Sequence, residues 1–501
     1  MKLTRREMLK LSLLGSAALA LPLTARTART GGPEPLRQLP KPFQAHLPLP
    51  EVLKPDPARS TPTTDFYELT ARESEASILP GKKTPVWAYN GLFIGPIIQA
   101  RKGRPVVVRH ANRLDSPTSV HLHGGYVDGD SDGHPSDLIQ PGRYKDYFYP
   151  NQQNARTMWF HDHAEHSTAL NVYRGLAGGY LLEDDFEDNV PLPQGEFQVP
   201  LVIQDKLFNA DGTLDYPFGP DDHSTNGLEG NVLLVNGKPW PRMEVSARKY
   251  RFRILNASNA RPYELSLSTG RPMHLVGTEG GLVEKPVPLR SFSTSPAERH
   301  VVVVDFSEYP VGTRIFLRNL KGDKEMATVM RFDVVRKAKD DSTIPDVICP
   351  PEHQVDPTHL PTDLSQVVRT RRWEFKRNGG FWTINDKIWD EHRVDAAPRE
   401  GETEIWEFEN NGGGWIHPIH LHLINFKILS RNGKPPNADE RGWKDTVFLG
   451  PNDTARVLLK WPEVPIGPNP GDFVRRYPFH CHVTEHEDHD MMLQYEVREK
   501  A

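Results

Sequence analysis

The stretch Tyr477-Pro478-Phe479-His480-Cys481-His482-Val483-Thr484-Glu485-His486-Glu487-Asp488-His489-Asp490-Met491-Met492 decides how the chain is read. Strand-like segments flank it at residues 457–461 and 493–497. In an extended chain, alternate side chains point to opposite faces. His480 and His482 then share one face, and Cys481 takes the other. One tripeptide can thus serve two metal sites and join them covalently. His486 follows Cys481 at five residues and Met491 at ten. A thiolate, an imidazole and a weak thioether are ligands of a blue-copper electron-transfer site, which also needs a second His. The bland alternative is a His-rich surface loop that happens to hold a cysteine. The rest of the chain argues against it by supplying the missing ligands.

The chain has 21 His in 501 residues. Random placement gives roughly one His-x-His pair, so a lone pair carries little weight. Four occur: His121-Leu122-His123, His161-Asp162-His163, His420-Leu421-His422 and His480-Cys481-His482. Each puts two imidazoles on one face of a strand. Two pairs lie early and two late, so eight imidazoles converge if the two ends of the chain touch. Imidazole suits copper, iron and zinc, and the neighbouring thiolate–thioether set selects copper. His417 lies outside the alternating register of His420 and His422, because Pro418 intervenes. It can therefore face the Cys481 side and complete a set with Cys481, His486 and Met491. His134, His166 and His489 lie near these motifs but out of register, and are read as ordinary histidines.

A length of 501 residues suits about three domains of roughly 150 residues each. The charged fraction of 25% and hydrophobic fraction of 37% are those of a globular protein. A net charge of −5 gives no electrostatic reason to expect nucleic acid as a partner. The 46 Pro and 38 Gly suit many short strands joined by turns. Two cysteines, Cys349 and Cys481, do not make a disulfide scaffold. With Cys481 on copper, Cys349 is a free or an intermolecular thiol.

At the N-terminus, Thr4-Arg5-Arg6-Glu7-Met8-Leu9-Lys10 precedes a mild apolar run over residues 11–23. Residues 1–30 resemble a twin-arginine export signal, with cleavage expected between 25 and 28. The run is too short and too rich in Ala, Ser and Gly for a stable membrane anchor. The resemblance implies export of the folded protein by the twin-arginine machinery, to the periplasm or outside the cell.

Residues 31–62 read as a Pro-rich extended arm laid over the first domain. Short β-rich segments then run through 63–185. An acidic stretch over 183–195 reads as a linker, and a second β block covers 196–340 without paired His. Residues 341–364 form a Pro-rich linker holding Cys349, and strands return over 365–498. Three such runs predict an all-β chain of three sandwiches.

The segments His-Leu-His-Gly at 121, His-Asp-His at 161, His-Pro-Ile-His-Leu-His at 417 and His-Cys-His-x3-His-x4-Met at 480 resemble the signature of three-domain multicopper oxidases. The likeness is greatest to the bilirubin oxidase and bacterial spore-coat laccase branch. Leu47-Pro48-Leu49-Pro50, Tyr89-Asn90-Gly91-Leu92-Phe93, Pro150-Asn151-Gln152-Gln153 and Trp443-Lys444-Asp445 add to it. The resemblance implies three cupredoxin-like Greek-key β-sandwich domains and four copper ions: one type 1, one type 2 and two type 3. It implies that His417, Cys481, His486 and axial Met491 hold the type 1 copper. His121 and His420 would hold the type 2 copper. His123, His161, His163, His422, His480 and His482 would hold the type 3 pair. Glu487 and Asp132 match acidic positions that the family uses for proton delivery. Trp415 matches a residue beside the type 1 site and is a candidate for the substrate edge.

The implied activity is laccase-like. A small aromatic reductant of phenolic, aminophenolic or bilirubin type gives up single electrons, and dioxygen takes four to become water. The alternative is a metallo-oxidase of cuprous or manganous ion. Nine Met and no Met-rich segment disfavour a dedicated cuprous-ion oxidase. A blue-copper electron carrier would need neither His480 nor His482. A two-domain nitrite reductase would be shorter and carry fewer pairs. A twin-arginine signal is also not what an internal spore-coat protein needs.

Overall fold

The computed structural model describes residues 34–219, 222, 225–359 and 363–500. The export-signal reading, on residues 1–30, lies outside them. Residues from Pro35 onward belong to one compact unit.

Among the described residues, six sheets pair into three sandwiches along the chain. In the first, Val52–Leu53, Ile97–Arg101, Ala177–Glu183, Arg156–Asp162 and Val120–His123 form one sheet in that order, and Thr84–Tyr89, Asp65–Ala76, Val106–Asn112 and Tyr144–Tyr149 the other. Both sheets feed one core, where Leu69 and Val108 meet Ile98 and Phe160. Val106–Asn112 alternates buried and half-buried positions, the period of two that a sheet with one covered face imposes. The middle sandwich pairs a seven-stranded with a five-stranded sheet around Phe252, Leu265, Val302 and Phe332. The last pairs five strands with four: Thr446–Leu449, His417–Leu421, Arg476–Cys481 and Met492–Glu496. The expected all-β fold of three sandwiches is therefore what the chain adopts.

Three local expectations need correcting. The arm does not lie only on the first sandwich. The amides of Leu36, Phe43 and Leu47 donate to Phe208, Trp240 and Arg242 of the middle one, whereas Val52–Leu53 pairs with the first and the Asp56 amide donates to the Phe66 carbonyl there at 2.7 Å. The apolar side chains of Leu36, Leu39, Phe43 and Leu47 explain this, since they pack on the middle core. The acidic stretch over 183–195, read as a linker, is structured and anchored. It holds a helix, Asp185–Asn189, whose buried Glu187 pairs with Arg251 and Arg253 of the middle sandwich. The stretch over 341–364 is anchored too. Asp356, fully buried, forms an ion pair with Arg156 of the first sandwich. Cys349 is buried and free, and burial pushes its thiol up to about 12. Among the described residues no helix is long and apolar enough to cross a membrane.

Candidate metal centre

The strand Arg476–Cys481 lies between His417–Leu421 and Met492–Glu496. Its register sets Cys481 opposite Ile419 and His480 opposite His420. Strand parity sends neighbouring side chains to opposite faces. His480 turns to one side, where its Nε2 lies 3.2 Å from Nε2 of both His163 and His422. Cys481 turns to the other, where its Sγ lies 3.3 Å from His417 Nδ1 and 3.6 Å from His486 Nδ1. His417 needs no break at Pro418 to get there. The strand runs straight through Pro418, which pairs with Phe448, and the odd offset from His420 alone flips His417 over.

The Cys481 site is closed to solvent. His417, Cys481, His486 and Met491 are all buried. Met491 sits beside the pair through its backbone, accepting from the Cys481 amide at 3.1 Å and donating to the His486 carbonyl at 3.0 Å. Trp382 stacks on His486 with ring centroids 3.8 Å apart and stands 5.7 Å from His417. Burial pushes the Cys481 thiol well above its ordinary range, and the Val483 amide donates to its sulfur at 3.4 Å. A thiolate here requires a cation, and two imidazoles beside it supply the donors of a blue-copper set.

The other side gathers the four pairs into one chamber. His121 Nε2 lies 3.2 Å from His420 Nε2. The ring of His482 lies 5.2 Å from those of both His123 and His161. Potential metal sets include His121 with His123 and His161, His121 with His420 and His422, and His163 with His422 and His480. The outer nitrogens show which atoms face inward. Nδ1–H of His121 donates to the Asp132 carbonyl at 2.6 Å, that of His161 to Asp162 at 2.9 Å, and that of His420 to Asp445 at 2.9 Å. Nδ1 of His422 donates to the Asp132 carboxylate at 2.5 Å. A carbonyl only accepts, so each of these rings carries its proton outside and turns a bare Nε2 lone pair inward. Burial, and then the neighbouring imidazoles, pushes His123, His161, His420, His422 and His482 well below the usual histidine range. Protons therefore do not hold these lone pairs together. Nitrogens of His123, His161 and His482 are buried without a hydrogen-bond partner. Facing lone pairs, orphaned and neutral, fit metal cations and nothing else in the chain.

Carboxylates line this chamber and not the Cys481 pocket. Asp132 ends a short buried helix, Gly129–Asp132, and grips two rings at once. Glu487, on the helix Thr484–Asp488, lies 3.1 Å from His480 Nδ1 and 3.4 Å from His163 Nε2. Burial opposes its charge, but His480 and His163 outweigh this and hold the carboxyl at about 2. Glu165, His166, Asp490 and Glu487 gather beside His163, with Glu487 buried and His166 exposed. Trp415 is half-buried and meets Trp382 edge-on at 5.7 Å. His134 holds no place in the chamber; it meets Gln494 at 3.2 Å and stacks on Phe473. Two residues escaped the sequence reading. Trp382 covers His486, and Asp445 lies 3.2 Å from His123 Nε2. Asp445 stood in a quoted motif, but nothing in its spacing marked it as a neighbour of the ligands.

Two multicopper oxidase family models match the chain, over residues 70–186 and 361–501. The chain is 38% identical to bilirubin oxidase of Albifimbria verrucaria, over 90% of this chain and 81% of that protein. It is 36% identical to a laccase of Bacillus subtilis, over 91% of this chain and 98% of that one. A crystal structure of laccase from Pediococcus acidilactici superposes with a TM-score of 0.81 at 31% identity, covering 93% of this chain and 96% of the other. The chain belongs to the multicopper oxidase family, oxygen-using oxidoreductases that carry four copper ions.

Proposed function

We propose that this protein is a laccase-like oxidase that couples one-electron oxidation of phenols, aminophenols or bilirubin-type pigments to reduction of dioxygen to water. The observation that carries the reading is the back-to-back placement of Cys481 and His480, one facing His417 and His486, the other facing His163 and His422. His417, Cys481 and His486, with Met491 as axial ligand, would hold the type 1 copper. His121 and His420 would hold the type 2 copper, and His123, His161, His163, His422, His480 and His482 the type 3 pair. When bound, the four coppers supply one-electron steps at the first site and four-electron reduction of dioxygen at the cluster. The division into domains at 63–185, 196–340 and 365–498 belongs to the same reading, with the cluster between the first and the last.

The chain's own part is to connect, shield and protonate. Cys481 is peptide-bonded to both His480 and His482, which gives a covalent route between the two donor sets. Trp382 and the surrounding core keep water from the sulfur, while the half-buried Trp415 offers an aromatic edge to the reductant. Each dioxygen takes up four electrons and four protons to give two waters. Glu487 stands between His163 and His480 on one side and the exposed His166 on the other, the place for a carboxylate that takes up and passes on protons. Asp132 holds His121 and His422 and is the second candidate for proton delivery. Export by the twin-arginine route to the periplasm or beyond is part of the proposal, on the strength of Arg5-Arg6 and the run over 11–23.

Oxygen uptake with 2,6-dimethoxyphenol, bilirubin, cuprous ion and manganous ion tests the reading. Faster uptake with the organic donors is expected. Uptake with the metal ions alone would overturn the assignment of an aromatic reductant.

A further inference from the structure

The middle sandwich holds none of the assigned ligands, yet one of its side chains reaches them. Arg299 begins the strand Arg299–Asp305 and is fully buried. Its guanidinium grips Asp445 with two parallel bonds, Nη1 to Oδ1 at 2.8 Å and Nη2 to Oδ2 at 2.5 Å. Its Nε donates to the Thr157 carbonyl of the first sandwich at 3.1 Å. One arginine thus touches all three sandwiches. Beside it, the buried Lys444 bonds Glu279 at 2.9 Å and Glu298 at 3.0 Å, and Glu279 accepts from the Arg299 amide at 3.2 Å.

Asp445 in turn touches two rings. Its carbonyl accepts from His420 Nδ1 at 2.9 Å, and its Oδ1 lies 3.2 Å from His123 Nε2. His123 is therefore reversed relative to its neighbours. His121, His161, His420 and His422 commit Nδ1 outward, whereas His123 commits Nε2 and leaves Nδ1 buried without a partner. An unheld Asp445 would itself compete for a cation, since His123, His420 and Asp445 also fall within metal-binding reach of one another. The guanidinium fork occupies both oxygens, and the Thr446 hydroxyl adds a third bond at 2.9 Å.

We propose that Arg299 is a positioning residue for the copper cluster: through Asp445 it sets His123 to coordinate by Nδ1 and keeps the Asp445 carboxylate off the metal. This rests on the ligand assignment above. Loss of an outer partner of a metal-bound histidine costs about 10- to 100-fold in metal affinity.

The test uses copper-loaded full-length protein: wild type, Arg299→Met, Arg299→Lys and Asp445→Asn. Arg251→Met serves as control, because Arg251 is equally buried in the same sheet and paired at 2.7 Å with Glu187, away from the ligands. Copper per chain is measured during challenge with a chelator, together with the type 2 electron paramagnetic resonance signal and the visible band of the Cys481 site. Arg299→Met and Asp445→Asn should lose cluster copper at about 10- to 100-fold lower chelator concentration than wild type, with an altered type 2 signal and an intact visible band. Arg299→Lys should fall between. Should Arg299→Met not fold, Arg299→Lys and Asp445→Asn decide by the same readout. Retention of all copper with a wild-type signal overturns the proposal, as does equal copper loss in Arg251→Met. Wild type with fewer than four coppers would instead overturn the ligand assignment itself.

Discussion

The two donor sets are built on one strand but differ in what assembles them. The Cys481 set lies within one sandwich: His417, Cys481, His486 and Met491 come from neighbouring strands and the turn between them. The eight-histidine chamber draws half its rings from a sandwich some three hundred residues earlier, and its nitrogens meet at 3.2 Å across that interface. The first set is apolar, walled by Trp382 and core residues. The second is fringed by Asp132, Asp445 and Glu487. A site that handles electrons alone needs a rigid, dry pocket. A site that consumes protons and spans two sandwiches needs carboxylates and a means of holding the halves in register.

The largest effect should come from the atom shared between the two. Cys481→Ser removes the thiolate and with it the intense visible charge-transfer band, and oxidase turnover should fall to background. The cluster imidazoles stay in place, so copper analysis should show loss of about one ion of four. A variant that keeps its visible band would break the assignment of both sets at once.

Glu487→Gln acts on the carboxylate side only. The amide keeps the shape of the side chain and loses its capacity to carry a proton, so turnover should fall about 10²- to 10⁴-fold with copper content and visible band unchanged. Steady-state oxygen uptake across pH checks it, and a wild-type profile would take Glu487 out of proton delivery.

Much of this contrast was legible in the sequence, for a definite reason. His480-Cys481-His482 and the three other pairs are local patterns, and strand parity converts each into a facing direction without knowledge of the rest of the fold. His417 comes within 3.3 Å of Cys481 without any break at Pro418; the strand is continuous and the odd spacing suffices. Residues whose neighbours lie far away in sequence were not legible. Trp382 carries no motif, and the Trp443-Lys444-Asp445 motif gives Asp445 no spacing relative to the ligands; both acquire meaning only where His486 and His123 come to rest. In the two linker stretches composition reports charge and proline content. It does not reveal that Glu187 and Asp356 find buried arginines.

Asp356 allows the one-sandwich and two-sandwich sites to be separated. Burial works against its charge, and His359, Arg156 and the Asn154 amide outweigh that and hold its carboxyl at about 2. This lies below its ordinary value of 3.8, so the stabilisation is fully present above that value and is lost as pH falls toward 2. Asp356→Ala leaves Arg156 buried without its partner, at a cost of about 3–5 kcal/mol. Arg156 sits on a strand of the first sandwich that also carries His161. On warming, the variant should therefore lose cluster copper before its visible band bleaches, whereas wild type should lose both closer together. Thermal unfolding followed at the visible band, alongside copper release, measures the gap. Simultaneous loss at the same temperature in both proteins would mean that the interface contributes nothing special to the cluster.

The smallest expected effect belongs to the rim of the Cys481 pocket. Trp415 meets Trp382, which in turn stacks on His486. If it serves as the docking edge, Trp415→Ala removes an aromatic contact with the reductant, about 0.5–1.5 kcal/mol. KM for 2,6-dimethoxyphenol should then rise roughly 2- to 10-fold, while kcat and the visible band stay as in wild type. If it serves only to brace Trp382, the same substitution should shift the visible band and leave KM alone. The two outcomes separate a residue that meets substrate from one that shapes the pocket. They also test whether the closed site has an outward face as distinct in its chemistry as the inward one.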